Sequence, residues 1–160
     1  LKIGVISDTH RNREMTDAAF EYFKNEGCSH VFHLGDLSSD MDYMESMYEM
    51  KIERVDGNMD FSSEYPYEKV VEIEGVRFLL THGHTLDVRK TLYHLISLAK
   101  EKECACALYG HTHIPYRIRR EGVLVLNPGS PSQPRGGSKK SIAVITVTDG
   151  KMDADHHFLG

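Results

Sequence analysis

Apolar residues along the chain come in short runs separated by polar turns, and their spacing switches between period two and a period of about 3.6. LKIGVIS (1–7) is a compact apolar run and predicts a buried strand. REMTDAAFEYFKNEG (13–27) spaces Met15, Ala18, Ala19, Tyr22 and Phe23 as a helical face, and Gly27 stops it. HVFHLG (30–35) predicts a second strand. SDMDYMESMYEM (39–50) predicts a second helix, with Met41, Met44 and Tyr48 on one side as a flexible core stripe. KIERVDG (51–57) predicts a third strand.

Strands dominate the second half. EKVVEIEG (68–75) and VRFLLTHG (76–83) meet at Glu74-Gly75, which reads as a hairpin. DVRKTLYHLISLAKEKE (87–103) predicts a third helix. CACALYG, IPYRIRR, VLVLN, SIAVITVTD and KMDADHHF follow as strands, the last two joined by an Asp149-Gly150 turn. NPGSPSQPRGGSKK (127–140) is rich in Gly, Pro and Ser, yet strands flank it, so it reads as an ordered loop. There is no repeat and no linker, and residues 1–160 are expected to form one domain. A βαβαβ half followed by an antiparallel half suggests an α/β protein of two packed sheets with helices outside.

Composition narrows the function. Hydrophobic residues make up 40% and charged residues 27% of 160, and the net charge of −5 argues against a stable nucleic-acid complex. No apolar run approaches the roughly 20 residues of a membrane span. The chain opens directly as a strand, so a signal peptide is not expected and a cytoplasmic location is. Cys28, Cys104 and Cys106 are odd in number and form no C-x-x-C, against a disulfide framework or a zinc knuckle. Cys104 and Cys106 alternate and should face one side of a buried strand.

The chemistry lies just past the strands. Asp8 and His10 follow the first, Asp36 the second and Asn58 the third; His82 follows VRFLLT, and His111 and His113 follow CACALYG. One such residue would be ordinary turn chemistry. Seven oxygen or nitrogen ligand types after five strands are not, because sites in α/β sheets collect at the carboxyl ends of strands. Seven donors exceed one tetrahedral site and suit two neighbouring ions that share a carboxylate. Mixed N/O donors without thiolate point to manganese, iron, nickel or zinc rather than calcium. Gly35, Gly57 and Gly110 precede ligands and should supply the backbone angles for sharp turns. Two divalent ions, two carboxylates and one hydroxide leave a charge of about +1, which attracts an anionic oxygen. A two-metal site can clamp both oxygens of an in-line phosphoryl displacement.

DTH, GDLSSD, GNMD, THGH and GHTH, in this order and spacing, resemble the motifs of the calcineurin-like metallophosphoesterase superfamily, within it the small single-domain phosphodiesterase branch of bacteria and archaea. NPGSPSQPRGG is similar to that branch as well. The resemblance covers nearly the whole chain and implies a four-layer α/β/β/α sandwich of two mixed sheets with flanking helices around a dimetal centre. It implies that Asp8, His10 and His113 hold one ion, that Asn58, His82 and His111 hold the other, and that Asp36 bridges them. The implied reaction is attack on a phosphodiester by a metal-bridging hydroxide, with two divalent ions as cofactors, manganese foremost and nickel, zinc, iron or magnesium as alternatives. A phosphomonoesterase on the same scaffold is one alternative. A protein-binding module such as the retromer scaffold subunit, which resembles this fold, is another; it predicts eroded ligands.

One position departs from the pattern. Many superfamily members carry a histidine after the motif asparagine, whereas this chain reads Gly57-Asn58-Met59-Asp60, and methionine cannot donate a proton. His84, two residues past His82, is a candidate replacement acid. Asn12 could touch phosphate or cap the first helix, and Arg135 could neutralise phosphate from its loop. His33 is expected to be structural or to support the ligands. Arg117, Arg119 and Arg120 read as a solvated strand face or an oligomer contact, and His94, His156 and His157 as surface residues. The expected partner is a small phosphodiester, with a homo-oligomer open.

Overall fold

Val5 and Ile6 are neighbours in the first strand and both fully buried, yet they enter different cores. That two-sided burial defines the architecture of the computed structural model, which describes residues 1–61 and 64–159. Strand β1 (Lys2–Ile6) pairs in parallel with β2 (His30–His33), and β2 in parallel with β3 (Lys51–Arg54). The hairpin of β9 (Ser141–Thr148) and β10 (Lys151–Phe158) adds to the other side of β1, giving the order β10-β9-β1-β2-β3. The second sheet holds β4 (Glu68–Ile73), β5 (Val76–Thr81), β6 (Cys106–Leu108), β7 (Tyr116–Arg120) and β8 (Val123–Asn127), in the order β4-β5-β6-β8-β7.

Three cores separate four layers. Ile3, Val5 and Phe32 meet Phe78, Leu80, Leu108 and Leu126 between the sheets, with the Phe32 and Phe78 rings edge to face at 5.5 Å. Outside the first sheet, Ile6 and Val31 pack on Phe20 and Phe23 of α1 (Arg13–Asn25) and on Met41 and Met44 of α2 (Met41–Met47). Outside the second, Leu79 and Val125 pack on Leu95, Ile96 and Ala99 of α3 (Tyr93–Glu101). The α/β/β/α sandwich is the expected one, and Met41 and Met44 of α2 are core, whereas Met47 is exposed.

Several expectations need correction. Both sheets are mixed, as the resemblance implies, but the second half of the chain is not an antiparallel half: β5, β6 and β8 run parallel and only β4 and β7 are antiparallel to their neighbours. The last hairpin returns to the first sheet. The third helix begins at Tyr93 rather than at 87: Asp87 takes a left-handed φ of 56°, and Lys90 and Thr91 donate back to its carbonyl as a turn. The buried stripe of α1 is Thr16, Ala19, Phe20 and Phe23, and Ala18 is exposed. Cys104 packs beside α3 while Cys106 packs between the sheets, because Cys104 ends the α3 turn through its N–H to Ala99 O (2.8 Å) and precedes the strand. Arg117 and Arg119 donate to the Ala154 and Met152 carbonyls of β10, so they tie β7 to the edge of the other sheet rather than standing free. His156 and His157 are also engaged, on Asn127 O (2.7 Å) and the Tyr22 ring.

Because β1, β2 and β3 run one way, and β5, β6 and β8 likewise, each sheet gathers its carboxyl ends at one edge of the sandwich. The polar loops meet there.

Candidate metal centre

Five of the predicted ligands have left-handed backbones: Asp8 (φ 57°), His10 (46°), Asp36 (51°), His111 (69°) and His113 (60°). Such angles are costly for residues with a Cβ, and they collect where surrounding contacts over-determine the chain. Asp8 N–H donates to Gly35 O (2.9 Å) and Asp36 N–H to Asp60 Oδ2 (2.9 Å), which ties the first motif to the second and the second to the third. The glycines only partly follow expectation. Gly35 has a φ of 101°, but Gly57 and Gly110 have no positive φ and are needed for space. A Cβ on Gly57 would lie 2.2 Å from Asp36 Oδ1, and one on Gly110 would lie 2.1 Å from Ser7 Oγ.

Each carboxylate divides its two oxygens. Asp8 Oδ2 accepts from Ser7 Oγ (2.6 Å) and His111 N–H (3.1 Å), leaving Oδ1 facing His113 Nε2 at 3.2 Å and His82 Nε2 at 3.7 Å. Asp36 Oδ1 accepts from Met59 N–H (2.9 Å), leaving Oδ2 at 3.4 Å from His82 Nε2 and 3.8 Å from His10 Nε2. The histidines are oriented to match. His82 Nδ1 donates to Leu34 O (2.8 Å) and His113 Nδ1 to Gln133 O (2.6 Å), so both Nε2 atoms are turned toward the carboxylates. His111 Nδ1 lies 3.2 Å from His82 Nε2.

The electrostatics follow from this packing. Burial alone would raise the Asp36 pKa, but the hydrogen bond and charge of His82, the Met59 N–H and the charge of His10 bring it down to about 2. The same contest lowers Asp8, with His113 and His82 outweighing burial. Burial opposes charge on His82, and the two carboxylates overcome it and raise its pKa. His111 goes the other way, to about 4, through burial and the His82 and Arg89 charges.

These donors fit a metal. Single ligand atoms of Asp8, His10, Asp36 and His113 all lie within 4.8 Å of one another. Asp8 Oδ1 and His10 Nε2 are buried without a hydrogen-bond partner, the state expected of atoms reserved for a cation. His82 joins the group through both carboxylates, and His111 through His82. Asn58 is different: its side chain is exposed and makes no hydrogen bond to the other six, although its turn touches Asp36 through Met59 N–H.

The weaker candidates separate. Asn12 caps α1, its Oδ1 accepting Met15 N–H (3.1 Å). Arg135 has an exposed side chain on a loop anchored beside the site by its own N–H to His113 O (3.0 Å). His84 stands edge-on to Tyr67 at 4.8 Å and 6.2 Å from the His111 ring, with its buried Nδ1 unpartnered. His33 is fully buried in a support role: Nδ1 accepts Gly35 N–H (3.1 Å) and Nε2 lies 3.1 Å from Thr9 Oγ1. Sequence reasoning missed Asp60 and Ser130, whose oxygens hold the Asp36 and Asp8 backbones. Asp60 closes the GNMD motif and Ser130 lies in NPGS, so both were in view without a stated task.

Fold and site together define a metallophosphoesterase-like domain. The model of the calcineurin-like phosphoesterase superfamily domain matches residues 1–150, and the chain belongs to that superfamily. It is 36% identical over 156 residues to a protein of Methanocaldococcus jannaschii named probable metallophosphoesterase, covering 95% of this chain and 78% of that one. It is 27% identical over 168 residues to the phosphodiesterase YfcE of Escherichia coli, covering 91% and 87%. The crystal structure of a predicted phosphoesterase from Streptococcus pneumoniae superposes with a TM-score of 0.83 at 34% identity, covering 97% of this chain and 87% of that one.

Proposed function

We propose that the protein is a dimetal-dependent phosphodiesterase. The observation that carries this reading is the divided carboxylates: one oxygen of Asp8 and of Asp36 is held by the protein while the other faces histidine nitrogens. Asp8, His10 and His113 would hold one divalent ion and Asn58, His82 and His111 a second, with Asp36 shared. Bound there, the ions would polarise the phosphoryl oxygens and activate water. Manganese is the foremost candidate, with nickel, zinc, iron and magnesium behind it.

The chain's own residues do the rest. Asp8 and Asp36 only partly offset the ions' charge, which favours a singly charged diester over a doubly charged monoester. Met59 leaves the leaving oxygen without a proton donor at that turn, and His84 Nδ1, unpartnered beside His111, is the alternative donor that a series of graded leaving groups tests. Arg135 reaches the substrate phosphate from the loop tied to His113. Asn12 keeps its amide nitrogen for a phosphate contact while its oxygen caps α1. The substrate is a small diester and the setting the cytoplasm.

The test is a panel of diesters and monoesters run on metal-stripped protein reloaded with each metal in turn, beside Asp36→Asn. Diester turnover that needs metal, with two ions bound per chain and both lost in Asp36→Asn, is the expected result. Preferred monoester turnover would instead mark a phosphomonoesterase, and absence of turnover with metal bound a scaffold. If Asp36→Asn keeps two tight ions and full turnover, the dimetal assignment fails.

A further inference from the structure

This acidic chain pairs many of its cations. Lys2 meets Glu26, Arg54 meets Asp42 and Glu45, Lys69 meets Glu53, and Lys100 meets Glu121. One groove of about 430 Å³ breaks that habit: it is lined by Arg89, Lys90 and Arg120 and by no carboxylate. None of these three side chains makes an ion pair or hydrogen bond among the described residues. The grooves around Arg11 differ, since Asp40 lines one and Asp42 and Glu64 the other.

The groove and the metal centre share one segment of chain. Tyr109 and Thr112 line it, and between them stand Gly110 and His111. The Thr112 hydroxyl is fixed, accepting from Asn127 Nδ2 (2.9 Å) and Ile114 N–H (3.2 Å). The Arg89 charge is felt at the His111 ring. Farther along, Ile114 and Tyr116 are 42% and 39% exposed and present apolar and aromatic surface to the groove. Ile114 also backs the Arg135 loop, where a Cβ on Gly136 would lie 3.1 Å from Ile114 Cδ1.

We infer that this groove binds one arm of the substrate, a planar ring that carries a second anionic group of the phosphate class. The inference rests on the phosphodiesterase reading and extends it to substrate class. The ring lies against Tyr116 and Ile114, and the guanidinium groups of Arg89 and Arg120, with Lys90, take the anion. A few converging polar groups beside apolar walls are the usual means of orienting a small ligand.

The probe pair is thymidine 5′-(p-nitrophenyl phosphate) with and without a 3′-phosphate, each releasing the same nitrophenolate. In the metal-loaded wild type, the 3′-phosphate should lower KM about tenfold, the worth of one good charge-assisted contact. In Arg89→Ala and in Arg120→Ala the two KM values should converge to within about twofold. A merely structural role would raise both together and keep their ratio. Equal KM values in the wild type, or a ratio unchanged in both variants, would overturn the inference. A separate arm titrates metal-free protein with thymidine 3′,5′-bisphosphate. Binding there that weakens in Arg89→Ala supports the groove even if neither ester is cut, an outcome that would sink only the phosphodiesterase reading. No binding in that arm, with equal KM values, removes the groove alone.

Discussion

Asp60 holds Asp36 by its backbone: one carboxylate oxygen, Oδ2, accepts the N–H groups of both Asp36 (2.9 Å) and Gly57 (2.7 Å). The other oxygen accepts Ser38 N–H at 2.8 Å. The last residue of the GNMD motif thus joins the second and third motifs without facing the centre itself. Asp60→Asn replaces one accepting oxygen by a donor that opposes an N–H. It should cost about 1–3 kcal/mol of stability. It should also weaken metal binding about 10–100-fold, as loss of a ligand's support does. Calorimetric unfolding and metal titration check the two effects, and a variant unaltered in both would remove this role.

His33 gives the metal-free protein a defined acid sensitivity. Gly35 N–H donates to its Nδ1, so the ring is neutral with its proton on Nε2 toward Thr9, and burial holds its pKa down to about 4. In the unfolded chain the value is about 6.5. Between the two the unfolded state binds the extra proton, so the stability contribution is whole above pH ~6.5 and is lost as pH falls to ~4. The loss amounts to about 3 kcal/mol. His33→Asn can keep an acceptor for Gly35 but cannot titrate in this range. Urea unfolding of both metal-free proteins at pH 7 and pH 4.5 should show a smaller drop for the variant; equal drops would refute the assignment.

Met59 predicts a strong dependence on the leaving group. Its side chain is 42% exposed at the turn against Asp36 and has no proton to give. Aryl diesters should be cut readily and alkyl diesters slowly, because a general acid contributes about 10²–10⁴-fold when an alkoxide must leave. Met59→His should speed alkyl substrates selectively. Rates across diesters of graded leaving-group acidity measure the slope, and a flat wild-type slope would assign the acid role to His84.

Arg135 should act on binding more than on chemistry. Its N–H is tied to His113 O while its guanidinium stays exposed, so Arg135→Ala should leave the backbone contact in place. KM for diesters should rise several-fold, about what one exposed charged contact supplies, with a smaller change in kcat. Unchanged kinetics would leave the side chain to solvent.

Much of this was written locally. Strand periodicity at 1–7, 30–35 and 76–83, the Glu74-Gly75 and Asp149-Gly150 hairpins, and the polar residues just past the strands depend on neighbours in sequence, so the chain alone determined the elements and nominated the ligands. Tertiary structure decided whatever joins distant segments. Asp8 meets His111 across 103 positions, and only that meeting settles which oxygen of Asp8 is held and which is left free. The return of β9 to β1 belongs to the same class. So do the left-handed candidate ligands, because a local preference against positive φ is overridden by hydrogen bonds from elsewhere in the fold. The cations at Arg89, Lys90 and Arg120, unpaired among the described residues, follow the same rule: a charge is paired or left open by what stands across from it in space, which no local pattern encodes.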